Sequence, residues 1–141
     1  MRGVVVVVVV LAAASLFMAW RRRTDGKLRA VTDRHDEPDG DVLTTSQLNA
    51  PLGERATLVQ FSSAFCAPCR TTRVILDDVA SRLPGVAHVD VDAEANLELV
   101  RQLDVRRTPT VLVLDECGRI RTRASGAPSR SDVVAALGQF L

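Results

Sequence analysis

Cys66 and Cys69, separated by Ala67 and Pro68, are the residues of this chain best suited to covalent chemistry. Two thiols at this spacing can close into a disulfide and open again, which makes them a two-electron redox group. Cys117 stands alone, and the only histidines are His35 and His88. Structural zinc normally takes four ligands, so one Cys-x-x-Cys pair without a second is too small a set, and no metal is expected. Nor do three cysteines make the even set of a small secreted scaffold stapled by disulfides.

The pair needs elements to hold it. Thr57 to Phe61 is a short β-rich run, read as a buried strand. Ala67 to Leu83 has helical spacing, with Val74, Ile75, Leu76, Val79, Ala80 and Leu83 on or near one face, and Pro84-Gly85 ends it. Val86 to Val91 alternates as a strand, and Ala95 to Leu103 returns to helical period. Thr110 to Leu114 is a third strand, and a turn at 115–118 leads into a fourth over Arg119 to Arg123. A final helix from Ser129 to Leu141 opens on Ser129 or Ser131 followed by Asp132, a capping pattern. The order is that of an α/β unit. Helical crossovers predict parallel early strands, and the tight turn predicts an antiparallel last pair.

This order puts Cys66 where a strand hands over to a helix. Its sulfur faces unpaired N–H groups and the positive end of the helix dipole, which favours the attacking thiolate. Cys69, one turn on and more buried, resolves the mixed disulfide that Cys66 forms. Pro68 is tolerated because its missing N–H has no helical partner so early.

Leu58-Val59-Gln60-Phe61 through Phe65-Cys66-Ala67-Pro68-Cys69 resembles the strand and active-site turn of the thioredoxin family. Thr108-Pro109-Thr110 resembles that family's cis-proline loop, and Gly126 and the closing helix fall where the family has them. The resemblance spans Thr44 to Leu141. It implies a thioredoxin-like fold with a mixed central sheet flanked by helices. It also implies an active-site turn of Phe65, Ala67 and Pro68 around the nucleophile Cys66 and the resolving Cys69, with Thr108 and Pro109 docking an extended substrate backbone. It implies no metal or organic cofactor. Its partners would be disulfide-containing protein substrates and an electron donor, either a thioredoxin reductase or a membrane carrier. The chain departs from the family pattern in four places. Ala-Pro replaces Gly-Pro, Phe65 replaces tryptophan, Gln60 stands where thioredoxins keep a buried aspartate, and His88 stands in place of its lysine partner. Gln60 cannot titrate, so the Cys69 proton passes to His88 or to water.

Before all this, Val4 to Trp20 is an unbroken apolar run. As a helix it is about 26 Å long, at the short end of what crosses a bilayer core of about 30 Å. Only Arg2 precedes it, Met18-Ala19-Trp20 is a poor cleavage site, and Arg21, Arg22 and Arg23 follow. These flanks favour an anchor over a cleaved signal peptide. The basic side stays inside, so the rest of the chain is expected in the cytoplasm. Residues 1–23 are therefore read as anchor and basic flank, 24–41 as a charged flexible linker, and 42–141 as the folded domain. A net charge of +1 gives no basic excess for nucleic acid. The expected function is reduction of protein disulfides. The alternatives are an extracytoplasmic role in cytochrome maturation or disulfide formation, and a redox-inert binding module.

Overall fold

The structure, a computed structural model, describes residues 2–24, 27–30 and 42–139. Helix α1 (Arg2–Thr24) carries the apolar run, and its stretch Val4–Arg21 is long and apolar enough to cross a membrane. The remaining elements are β1 (Arg29–Ala30), α2 (Thr45–Leu48), β2 (Ala56–Ser62), α3 (Ala67–Arg82), β3 (Val86–Asp92), α4 (Leu97–Gln102), β4 (Thr110–Asp115), β5 (Ile120–Ser125) and α5 (Arg130–Leu137).

The strands form one sheet in the order β1-β5-β4-β2-β3. β2 lies between β4 and β3, and all seven of its residues are buried, because helices cover both faces. Its alternation divides the core in two. Leu58 joins Leu76, Val79, Val111, Val113, Val133 and Leu137 on the side of α3 and α5. Val59 and Phe61 join Leu48, Val89, Val91, Leu99, Leu112 and Leu114 on the other.

β2 and β3 are parallel, with Leu58 opposite His88 and Gln60 opposite Asp90, as a helical crossover requires. β4 and β5 are antiparallel, as the tight turn requires. β4 departs from the crossover expectation and runs antiparallel to β2. The reason is length. The six residues of α4 advance about 9 Å, whereas the seven of β3 cover about 23 Å. α4 by itself does not span the length of the strand, and β4 enters from the end at which β3 leaves, with Thr110 opposite Phe61.

Two elements go beyond the sequence reading. α2 is fixed by a capping box in which the Gln47 N–H donates to Thr44 Oγ1 and the Thr44 N–H to Gln47 Oε1. β1 lies inside the stretch read as a linker, yet Arg29 pairs with Arg123 and Ala30 with Thr122, and Leu28 packs on the α3-side core. Most of that stretch, residues 31–41, lies outside the described residues, as do Phe140 and Leu141 of the expected last helix. α5 is capped by Ser129, whose Oγ accepts the Asp132 N–H at 3.2 Å.

Candidate functional site

The site forms where β2 ends. Ser62 and Ser63 lead into a turn closed by the Cys66 N–H donating to the Ser63 carbonyl at 3.3 Å. Cys66 then takes extended backbone as the N-cap of α3, with Pro68 in the first turn. Cys66 and Cys69 are joined as a disulfide with sulfurs 2.03 Å apart. The Cys69 N–H, shared with the Cys66 carbonyl at 3.1 Å, also reaches Cys66 Sγ at 3.2 Å, so a backbone donor of the helix's first turn is aimed at that sulfur. Cys66 is half-buried, and Cys69 is 2% exposed behind it. An incoming molecule therefore meets Cys66 first.

Phe65, 99% exposed, stands beside the pair, and Ala67 and Pro68 are exposed with it. On the other flank the Thr108–Pro109 peptide is cis. Thr108 Oγ1 lies 3.1 Å from Ser63 Oγ, which ties that loop to the cysteine turn. The Pro109 carbonyl accepts the Gly126 N–H at 2.8 Å, and Gly126 has φ of 110°, a conformation that favours glycine. Just upstream, Asp104 and Arg106 pair at 2.9 Å. The hydrogen bond from Arg106 holds the Asp104 carboxyl below its usual value, and the same bond raises the guanidinium.

A strand thus delivers a half-buried and then a buried cysteine to a helix start, with a cis-proline loop tied to the same turn. A family model described as Thioredoxin matches residues 41–139. The chain belongs to the thioredoxin family. Thioredoxin of Mycolicibacterium smegmatis is 28% identical over 120 residues, which are 83% of this chain and 97% of that one. Putative thioredoxin H10 of Arabidopsis thaliana is 37% identical over 70 residues, 50% of this chain. The match spans under half the length of that plant relative (45%) and of thioredoxin H5 of Oryza sativa (44%). Among solved structures, Fasciola hepatica thioredoxin is similar with a TM-score of 0.56 at 25% identity, covering 63% of this chain and 84% of that one.

Within this thioredoxin fold, Gln60 is fully buried and its Nε2 donates to the Cys69 carbonyl at 2.8 Å. His88 lies further off. Its ring is 5% exposed, and Nδ1 sits 2.6 Å from the carboxylate of Asp77. Asp77 is eight residues past Cys69 on α3, about 12 Å along the helix axis. Two acidic residues share a cavity with the cysteines, Asp90 and Asp92, and neither is among the site residues expected from sequence. Ser62, Ser63, Cys66, Cys69, Arg70, Arg73, Asp90 and Asp92 are among the residues lining this space of about 300 Å³. The Asp90 carboxylate accepts from Ser62 Oγ and pairs with Arg73. The signal was the register. Asp90 sits opposite Gln60, two residues past His88 on the same face. A larger cavity of about 410 Å³ lies along β3 and α2 and includes no cysteine. Cys117 is exposed in the β4–β5 turn. That turn adjoins the Ala56 end of β2, about 20 Å of strand from the site. Among the described residues, no three His, Cys, Asp or Glu side chains are grouped so as to hold a metal.

Proposed function

We propose that this chain is a membrane-anchored thiol–disulfide oxidoreductase that reduces disulfides of protein substrates. The observation that carries the reading is the arrangement of the pair. Cys66 is reachable at a helix start with an N–H aimed at its sulfur, and Cys69 is bonded to it from a buried position one turn on.

Cys66 as thiolate attacks one sulfur of a substrate disulfide, forms a mixed disulfide and releases the other substrate sulfur as thiolate. Cys69 loses its proton and attacks Cys66 Sγ. The enzyme disulfide forms and the second substrate sulfur departs. The substrate gains two electrons and the Cys pair loses them, so a dithiol donor must restore the pair. A thioredoxin reductase or a membrane electron carrier is the class of partner required. Exposed Phe65 and the Thr108–Pro109 loop flank the approach and would receive the substrate chain.

Residues 4–20 would anchor the protein in the bilayer, and residues 42–141 would form the working domain on the cytoplasmic side. The support for this orientation is the basic cluster after Trp20.

Two measurements test the reading. The full chain in detergent micelles should catalyse dithiothreitol-driven reduction of insulin, and Cys66→Ser should lose that activity. Retained activity in Cys66→Ser, or none in the natural chain, would refute exchange through this pair. In a Cys117→Ser background, a membrane-impermeant maleimide should label the pair only after lysis of mildly reduced cells. Labelling of intact cells would place the domain outside and overturn the cytoplasmic assignment.

A further inference from the structure

Gln60 has one buried atom with nothing to bond. Its Nε2 is committed to the Cys69 carbonyl at 2.8 Å, and a carbonyl can only accept, so the amide is oriented with its nitrogen toward Cys69. Its Oε1 is buried and has no hydrogen-bond partner among the described residues. Thr72 Oγ1, three residues after Cys69 on the buried face of α3, is also without a partner, so the two do not satisfy each other. With the pair oxidised, Cys69 carries no S–H. Reduction therefore creates one new buried donor on the residue whose carbonyl Gln60 already holds, while the same amide keeps one acceptor that lacks a donor.

We propose that in the reduced protein the Cys69 thiol donates its hydrogen to Gln60 Oε1, making Gln60 a positioning residue that keeps the resolving sulfur protonated. This rests on the exchange reading above. A hydrogen bond to the neutral form opposes ionisation, and an amide cannot take the proton. The charged groups around Cys69 are otherwise engaged or turned elsewhere. Asp90 is tied to Ser62 and Arg73, Asp92 accepts the Glu94 N–H, and His88 is turned to Asp77. Arg70 and Arg73 on α3 are cations and cannot act as bases. In the mixed disulfide, then, the Cys69 proton passes to hydroxide or buffer base from solvent. The Cys69 thiolate attacks Cys66 Sγ, the Cys66–substrate bond breaks, and the departing thiolate leaves with the electron pair.

The test uses the reduced full chain in micelles with Cys117→Ser, because the exposed Cys117 would also react, and one equivalent of dithiobis(nitrobenzoate). Attack by Cys66 releases a first equivalent of coloured thiolate, and resolution by Cys69 releases a second. The second phase should climb about tenfold per pH unit from about pH 6 to 8 without inflection. Asp90→Asn should leave that profile unchanged. Gln60→Glu should introduce an inflection and speed the phase at pH 8 about tenfold, since the carboxylate can accept the proton. A plateau in the natural profile, or a Gln60→Glu profile identical to it, would overturn the proposal.

An independent readout covers a variant that fails to fold. In Cys66→Ser protein only Cys69 and Cys117 bear S–H groups. The infrared S–H band of Cys69 should lie below that of exposed Cys117, and coincidence of the two would overturn the hydrogen bond. Release of only one coloured equivalent would instead sink the exchange reading itself.

Discussion

Leu76→Ala tests whether the helix that carries the cysteines is held by its packing or by its first turn. Leu76 is fully buried against Leu58, Val79, Val111 and Val133, between the sheet and α5. The substitution removes three carbons. At about 0.8 kcal/mol per buried methylene this is roughly 2.4 kcal/mol. Sheet and α5 both limit collapse of the hole, so a cavity contribution brings the loss to about 3–4 kcal/mol, inside the range of about 2–5 for such changes. A domain of this size has a total stability of about 5–15 kcal/mol. Even at the low end, a loss of about 3–4 leaves about 1–2 kcal/mol, and about 84–97% of molecules folded at 25 °C. The midpoint of thermal unfolding should fall by roughly 12–30 °C, while the initial rate of insulin reduction at 25 °C falls by no more than the unfolded fraction, about 3–16% at that low end. Trp20 is the only tryptophan, tyrosine is absent, and Trp20 lies in α1. Far-ultraviolet circular dichroism in urea is therefore the probe, with α1 a constant background. A loss below about 1 kcal/mol would refute the packing of α3 at this position. An activity loss larger than the unfolded fraction would mean that this packing, and not the capped first turn, sets the position of Cys66.

Asp78 joins two helices by accepting from Arg82 of α3 and Arg130 of α5. Hydrogen bonds from Arg82 and then Arg130 hold its carboxyl below the usual aspartate value. A carboxyl depressed by folding adds stability above its unfolded value and loses it as pH falls through the folded one. Acid unfolding should thus steepen below about pH 4, and Asp78→Asn should flatten the curve there, with added salt shrinking the difference. Gly118 has φ of 80°, and a Cβ there would lie 2.2 Å from the Leu43 carbonyl oxygen. Gly118→Ala should cost more than about 2 kcal/mol, read as a lowered urea midpoint, since left-handed backbone alone costs about 1–2.

The sequence foretold the cysteine turn, the Thr108–Pro109 loop and seven of the elements around them, because each has a local signal. Cys66, Pro68 and a helical period follow a β-rich run, and Ser129 and Asp132 cap a helix. What escaped was set by partners far along the chain. β1 is two residues long and exists through pairing with Thr122 and Arg123. α2 is too short for periodicity, although Thr44 and Gln47 were its signature. The direction of β4 depends on how far α4 reaches. Asp90 entered the site through register with Gln60, which no single strand's pattern reveals.

β3 closes one side of the sheet, with β2 as its one paired neighbour among the described strands. An unpaired edge is a template on which another strand can zip. The alternation that buries Val89 and Val91 leaves Asp90 and Asp92 exposed along that edge. If two copies met there in register, carboxylate would stand opposite carboxylate, which opposes pairing. The face of β3 that opens onto the disulfide thus also discourages neighbouring copies from joining into one continuous sheet.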